Sequence, residues 1–272
     1  MKGKAPIRST LWIVGMLVLF LIPTEVASQE KEIIHRGEQW LQYNLNTILA
    51  EKWSMFGNLG FRWRDGFEEH TFFWGRAGCR YSLTPTIRVA TGFTYVEFKS
   101  EGSTYQVEFR PYEELLVVPS KGKKIGFSHR FRFEQRFYNP VVDNKVQSGN
   151  TFAVRLRYAL STRIPIAKLS ESNPDCKLIL AISDEVMVNA GKEIVNNVFD
   201  KNRFVITPTL QFNKWMSVAL GYNFQFFNTT KAGQYIQSDV MWFHLTHTFN
   251  FSKKKMEDIE EEHHVPVTPT VD

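Results

Sequence analysis

Residues 125–136 read IGFSHRFRFEQR, and they sort into two faces. Ile125, Phe127, His129, Phe131 and Phe133 fall on one side; Ser128, Arg130, Arg132, Glu134 and Arg136 fall on the other. Successive side chains of a strand point to opposite faces, so the segment is a ribbon with one apolar and one charged surface. The same period of two runs through 53–64 (WSMFGNLGFRWR), 151–161 (TFAVRLRYALS) and 215–227 (WMSVALGYNFQFF). Weaker versions lie at 40–49, 71–81, 86–98, 105–117, 177–189, 203–212 and 239–251. The pattern therefore predicts eleven strands of roughly 10 residues, the length a tilted strand needs to cross the hydrocarbon layer of a membrane.

An apolar sheet face this broad must be buried. A sandwich buries it against a second sheet, a soluble barrel turns it inward, and a membrane barrel turns it outward to lipid. The polar face discriminates. By parity it collects Arg62, Arg64, Arg76, Arg80, Arg88, Arg110, Arg130, Arg132, Arg136, Arg155, Arg157 and Arg203, with Glu108, Glu114, Glu134 and Glu185. So many arginines cannot make a dry core, which favours a polar lumen lined by them. The expected fold is all-β, an antiparallel transmembrane barrel of 10–12 strands. An even number is expected, because eleven antiparallel neighbours would close on one parallel pair; either residues 30–36 form a twelfth strand or one of the eleven is false. Tight connections at 50–52, 83–85 and 213–214 alternate with longer ones at 65–70, 99–104, 137–149, 190–202 and 228–234. Segment 163–176 departs from that alternation by being long where a short turn is due. Trp40, Trp53, Trp63, Tyr81, Tyr95, Tyr105 and Trp215 sit near strand ends, where half-polar rings suit a membrane–water interface.

Composition agrees with alternation. Aromatics are 14% of the chain, with 23 Phe, yet mean hydropathy is -0.27. Beyond the N-terminus no stretch approaches 18 unbroken apolar residues, which excludes helical spans. The N-terminus has the form of a secretory signal over 1–28: Lys2, Lys4 and Arg8, then the apolar run LWIVGMLVLFLIP at 11–23, then Val26-Ala27-Ser28 as a cleavage site. Removing 28 of 272 residues, among them three basic and one acidic, reduces the formal charge from +5 to +3. That mild excess, without a Lys/Arg block, implies no nucleic-acid partner. The barrel domain is expected over 29–251. Residues 252–272 are charged, then rich in Pro and Thr, and read as a flexible tail in which His263 and His264 are solvated. Cys79 and Cys176 are expected as unpaired thiols on distant strands.

The run EQWLQYNLNTILAEKWSMFGNLGFRWRDG (38–66), with RYSLTPTIRVATGFTY (80–95), FSHRFRFEQRF (127–137) and RLRYAL (155–160), resembles a "domain of unknown function" family of small outer-membrane β-barrels of Gram-negative bacteria. The resemblance spans roughly 38–251. It implies outer-membrane location, a barrel, outer-membrane lipid and the barrel assembly machinery as partners, and no assigned activity. It leaves open how that machinery reads Phe249 and Phe251 when a tail follows them.

Three functions follow. The first is a structural barrel or a narrow pore preferring anions, with Arg–Glu ladders or a small anionic solute inside. The second is a barrel enzyme acting on envelope lipids. Ser128 with His129, or Ser238 with His244, would have to serve it, but Ser128 and His129 point to opposite faces, and no hydrolase, metal or phosphate-loop motif is present. No catalytic residue, metal site or cofactor is therefore assigned. The third is a soluble periplasmic barrel holding an apolar ligand, with the aromatic face inward.

Overall fold

The computed structural model describes residues 31–119 and 124–252. The expected signal segment and the expected tail from 253 onward lie outside the described residues. Strands β1 (Glu32–Ile48), β2 (Trp53–Arg64), β3 (Glu69–Ser82), β4 (Ile87–Ser100), β5 (Ser103–Val117) and β6 (Gly126–Val142) are followed by a two-residue β7 (Lys145–Val146). Then come β8 (Thr151–Lys168), β9 (Lys177–Ala190), β10 (Phe199–Gln211), β11 (Met216–Asn228) and β12 (Gln234–Asn250). The eleven long strands close into one barrel through the β5–β6 pairing and a parallel pairing of β1 with β12. All other neighbours are antiparallel.

The expectation of an even count is overturned. Residues 32–36 form no twelfth strand; they lengthen β1, which then pairs with β12 over its whole length, from Glu32↔Gln234 to Ile48↔Asn250. Following the register around the barrel from Ile48 through Ser54, Arg80, Ala90, Glu114, Arg132, Arg157, Met187, Lys201, Phe227 and Ile236 returns to β1 at Ile34, a stagger of 14 residues. With eleven strands that stagger implies a tilt of roughly 40–45° and a backbone radius of roughly 11 Å. The 12-residue β2 then rises about 28 Å along the axis.

The expected alternation of short turns and long loops is also corrected. The rim reached at Asn250, called here the C-terminal rim, carries connections 49–52, 83–86, 118–125, 169–176 and 212–215. The opposite, N-terminal rim carries 65–68, 101–102, 143–150, 191–198 and 229–233. The two sets are of similar length. The segments 99–104 and 137–149 shrink because strands extend into them. Glu101 and Gly102 (φ 51° and 76°) form a two-residue turn between β4 and β5, and Asp143 and Asn144 (φ 50° and 57°) another between β6 and β7.

Inside and outside differ sharply. The buried face carries Arg, Glu, Ser, Thr and Asn, whereas Met55, Leu59, Phe61, Phe93, Phe127, Phe131, Leu156, Leu220, Met241 and Phe243 are exposed on the outer wall. Tyr81 packs on Trp53, and Tyr158 on His129, toward the C-terminal rim. Phe67 on Trp63 and Tyr235 on Phe226 do so toward the other. Trp40 is a correction: it is not an outer interfacial residue but is buried inside, edge-on to Trp242 at 5.1 Å between ring centres.

Candidate functional site

The interior is built from two unlike walls. On β5, β6, β8, β9 and β10 every inward-facing carboxylate is shared between arginines. Glu108 accepts from Arg110 (Nε 2.7 Å, Nη2 2.8 Å) and from Arg136 (Nε 2.6 Å, Nη2 3.1 Å). Glu134 binds Arg155 at 2.6 Å and Arg157 at 2.8 Å, with Arg132 at 3.5 Å. Glu185 accepts from Nε and Nη2 of Arg157, both at 2.9 Å, and from Arg130 at 2.7 Å, with Arg203 at 3.6 Å. Glu114 binds Arg132 at 2.6 Å and stands 4.0 Å from Arg130. Asp200 joins the ends, 3.1 Å from Arg155 and 4.0 Å from Arg136. Seven arginines and five carboxylates form one continuous network. Arg forks match carboxylates in two-point contact, which makes these the stronger class of ion pair.

The alternation explains how distant segments meet. Arg132 stands between Glu114 of β5 and Arg157 of β8 in the pairing register, and Glu134 pairs with Arg155. Charges two residues apart on each strand thus fall beside charges on its neighbours. Asp200 escaped the reading of the sequence because it was placed in a loop. It sits at the register shift between Phe199 and Lys201, and the extra residue of such a bulge is re-aimed.

The other wall, β1 to β4, holds its arginines on rings and amides. The Arg62 guanidinium lies 3.8 Å from the Trp40 ring centre and 4.1 Å from that of Phe72. Arg76 donates to Asn58 Oδ1 (2.9 and 2.6 Å), and Asn58 donates to Asn44 Oδ1 at 2.6 Å. Arg80 lies 5.0 Å from the Phe56 ring, and Arg88 is buried beside the same rim. Glycines make sockets for the large rings: a Cβ at Gly78 would meet Phe56 and the Thr91 carbonyl at 2.5 Å, and one at Gly92 would meet Tyr112 at 2.6 Å. These inner aromatics, with Trp40, Trp74 and Trp242, were missed by treating polarity as the mark of the inner face. Parity with Gln42, Arg76 and His244 was the signal that could have found them.

Of the sixteen charged positions singled out in the sequence, eleven lie in the network (Arg203 at its edge), and Arg62, Arg76, Arg80 and Arg88 lie on the facing wall. Arg64 stands apart, half-exposed at the N-terminal rim and 3.0 Å from Glu69. Glu108 and Glu134 are 0% exposed, and Arg88, Arg110 and Arg203 1%. The nucleophile–base pairs fare otherwise. Ser128 is buried inside, while His129 faces outward against the Tyr158 hydroxyl at 3.0 Å. Ser238 donates to Glu38 Oε1 at 2.9 Å, and His244 is six residues farther along the strand, roughly 20 Å away. Cys79 and Cys176 are free thiols.

No curated protein and no solved structure matches this chain. A family model described as "Protein of unknown function (DUF2490)" matches residues 37–236, from the first strand to the start of the last. An uncharacterised family whose members share this stretch is thus the one to which the chain belongs: it is a member of the DUF2490 family.

Proposed function

We propose that the protein is an outer-membrane β-barrel of a Gram-negative envelope, acting as a sealed structural barrel rather than an open pore. The observation that carries this reading is the inversion of polarity: a charged, hydrogen-bonded interior inside a wall whose outer face is Phe, Leu, Met and Tyr. Water would leave that outer face unburied, whereas lipid covers it. Aromatic residues gathered toward both rims, and a 28 Å rise that approximates the hydrocarbon thickness, support the same placement. A soluble barrel around an apolar ligand would need the two faces exchanged. Outer-membrane lipid and the barrel assembly machinery are then its partners.

Sealing rests on burial. A backbone radius of roughly 11 Å leaves room for a channel if the inner side chains are short. Here they are long and cross-linked, and carboxylates that are 0% exposed admit no water beside them. Side-chain ladders thus fill the space that conduction needs.

The test combines extraction with conductance. The protein should resist release from membranes by alkaline carbonate, migrate differently on gels before and after heating, and give no steady current steps in a planar bilayer. Release without detergent would overturn the membrane placement. Steady anion-selective steps from folded protein would overturn the sealed interior and restore the pore, and Arg130→Ala and Arg132→Ala should then reduce the selectivity.

A further inference from the structure

An ionisable group on a lipid-facing wall is costly unless something pairs with it. Among the described residues three carboxylates face outward at least four residues from the end of a strand: Glu113, Asp184 and Asp239. Two of them have donors within the barrel's own wall. Asp184 accepts from Asn202 Nδ2 at 3.0 Å, and Asp239 accepts from the Tyr222 hydroxyl. Glu113 is exposed, and its carboxylate takes no ion pair and no side-chain hydrogen bond among the described residues. It lines a hollow of about 1010 Å³ in the outer wall, with Leu115, Phe131, Phe133, Leu156 and Tyr158.

The donor that Glu113 lacks stands in the same hollow, two strands away. Tyr158 of β8 is 39% exposed, and its hydroxyl lies 3.0 Å from His129 Nδ1. Glu113 pairs with Phe133, and Phe133 with Leu156, two residues before Tyr158. Crossing two strands tilted by roughly 40–45° moves a pairing row about 7 Å toward the N-terminal rim, and the two further residues of β8 return about 5 Å. Glu113 and Tyr158 therefore stand at the same level, within about 2 Å, and roughly 10 Å apart across β6. That gap is too wide for a hydrogen bond within one barrel. A two-fold axis parallel to the barrel axis, passing between Phe131 and Phe133, closes it. Rotation about such an axis keeps every level and exchanges the two sides, so each Glu113 meets the other copy's Tyr158.

We propose that this hollow is the interface of a symmetric dimer in the membrane, in which the Tyr158 hydroxyl of each copy donates to Glu113 of the other. The proposal rests on the membrane placement argued above. His129 positions the hydroxyl: with the proton on Nδ1 it donates to the Tyr158 oxygen and leaves the phenolic proton for the partner's Glu113. An acyl chain fills the hollow but brings no donor to this depth, so lipid leaves the carboxylate unpaired, whereas a second copy of the chain pairs it. The contact is isologous: one patch supplies both acceptor and donor, so the two-fold makes the bond twice. Phe131 and Phe133, beside the axis, are covered by their own counterparts.

The test is sedimentation equilibrium of refolded protein in density-matched non-ionic micelles, with disulfide cross-linking of protein in phosphatidylcholine vesicles. Wild-type protein should follow a monomer–dimer equilibrium. Glu113→Leu and Tyr158→Phe should each weaken association at least tenfold while keeping the heat-dependent gel shift of the folded barrel, and Glu113→Leu should do so without destabilising the single barrel. Asp239→Leu removes an outward carboxylate from the far side and should leave association within about threefold. In a Cys79→Ser, Cys176→Ser background, Phe131→Cys lies beside the axis and should cross-link to its counterpart, whereas Met241→Cys on β12 should not. Folded protein that stays monomeric at the highest protein-to-detergent ratio would overturn the interface. So would a Phe131→Cys variant that cross-links no better than Met241→Cys. If Glu113→Leu does not fold, Tyr158→Phe decides: unchanged association would overturn the proposal. Protein that never enters the vesicles overturns the membrane placement and the interface with it, whereas protein that inserts but stays single overturns the interface alone.

Discussion

Glu134 shows what a single residue holds in this interior. It is fully enclosed and compensates Arg155 and Arg157 directly, with Arg132 3.5 Å away. Removing one member of a buried ion pair strands the other charge, which costs about 3–5 kcal/mol. Glu134→Ala should lose stability on that scale, read as a lower unfolding midpoint in urea with protein refolded into micelles. Glu113 on the adjacent strand β5, which pairs with Phe133, behaves oppositely. It faces outward, exposed, into an apolar groove of about 1010 Å³ lined by Leu115, Phe131, Phe133 and Leu156. It stands four residues, roughly 10 Å, above the C-terminal end of β5. A charge on a lipid-facing wall is unfavourable, less so for Glu than for Lys or Arg. Glu113→Leu should therefore raise stability in a bilayer by about 1 kcal/mol. In water the same change would add exposed apolar surface and gain nothing, so the sign of the effect bears on the membrane placement. These charges were readable from parity alone, since Arg and Glu alternate with Phe. Trp40 was not, because a Trp near the start of an assigned strand fits an interfacial belt as well as a core, and only the true start of β1 at Glu32 separates the two.

At the scale of elements, alternation located every long strand but not where each one ends. Strands persist beyond the apolar pattern because hydrogen bonding to a neighbour continues after the outer face turns polar. Thus β6 runs to Val142 and β1 begins at Glu32, and the loops expected there shorten. Pairing partners, not side-chain polarity, set those limits, and a single strand's sequence does not contain its partner. The glycine sockets are a second feature of pairing. Gly78 accepts the Phe56 ring from β2 and lies against the β4 backbone, with the Thr91 carbonyl 2.5 Å from where its Cβ would be. A methyl group meeting backbone cannot be absorbed by a rotamer change, so Gly78→Ala should cost about 1–3 kcal/mol. Gly57→Ala is the control, as its Cβ would meet nothing nearer than 3.8 Å and removes only chain freedom. Equal midpoints for the two variants in chemical unfolding would show that the β2–β4 wall is loosely packed after all.

For the whole molecule the odd strand count has a consequence that neither residues nor elements reveal. Antiparallel neighbours return the chain to its starting rim after an even number of strands. Eleven leave the described ends on opposite rims, and β1 and β12 therefore run side by side in the same direction. The closure is not a weak edge. It pairs 17 residues, and Trp40 and Trp242 join across it inside, packed with Val205 and Val240. The periodicity had produced the right number, and the evenness rule argued against it. The rule rests on the ease of antiparallel closure, which a long, internally packed parallel seam replaces. Loop lengths do not say which rim faces outward, because the two sets are alike. Accessibility of the ends can. In a Cys79→Ser, Cys176→Ser background, Lys31→Cys lies at the start of β1 and Ser252→Cys just past the end of β12. A membrane-impermeant thiol reagent applied to intact cells should label one of these positions and reach the other only after the outer membrane is opened. Labelling of both from outside, or of neither until opening, would place the ends on one side and require an even barrel. That result would remove the parallel seam, whereas a one-sided pattern would fix the orientation of the barrel.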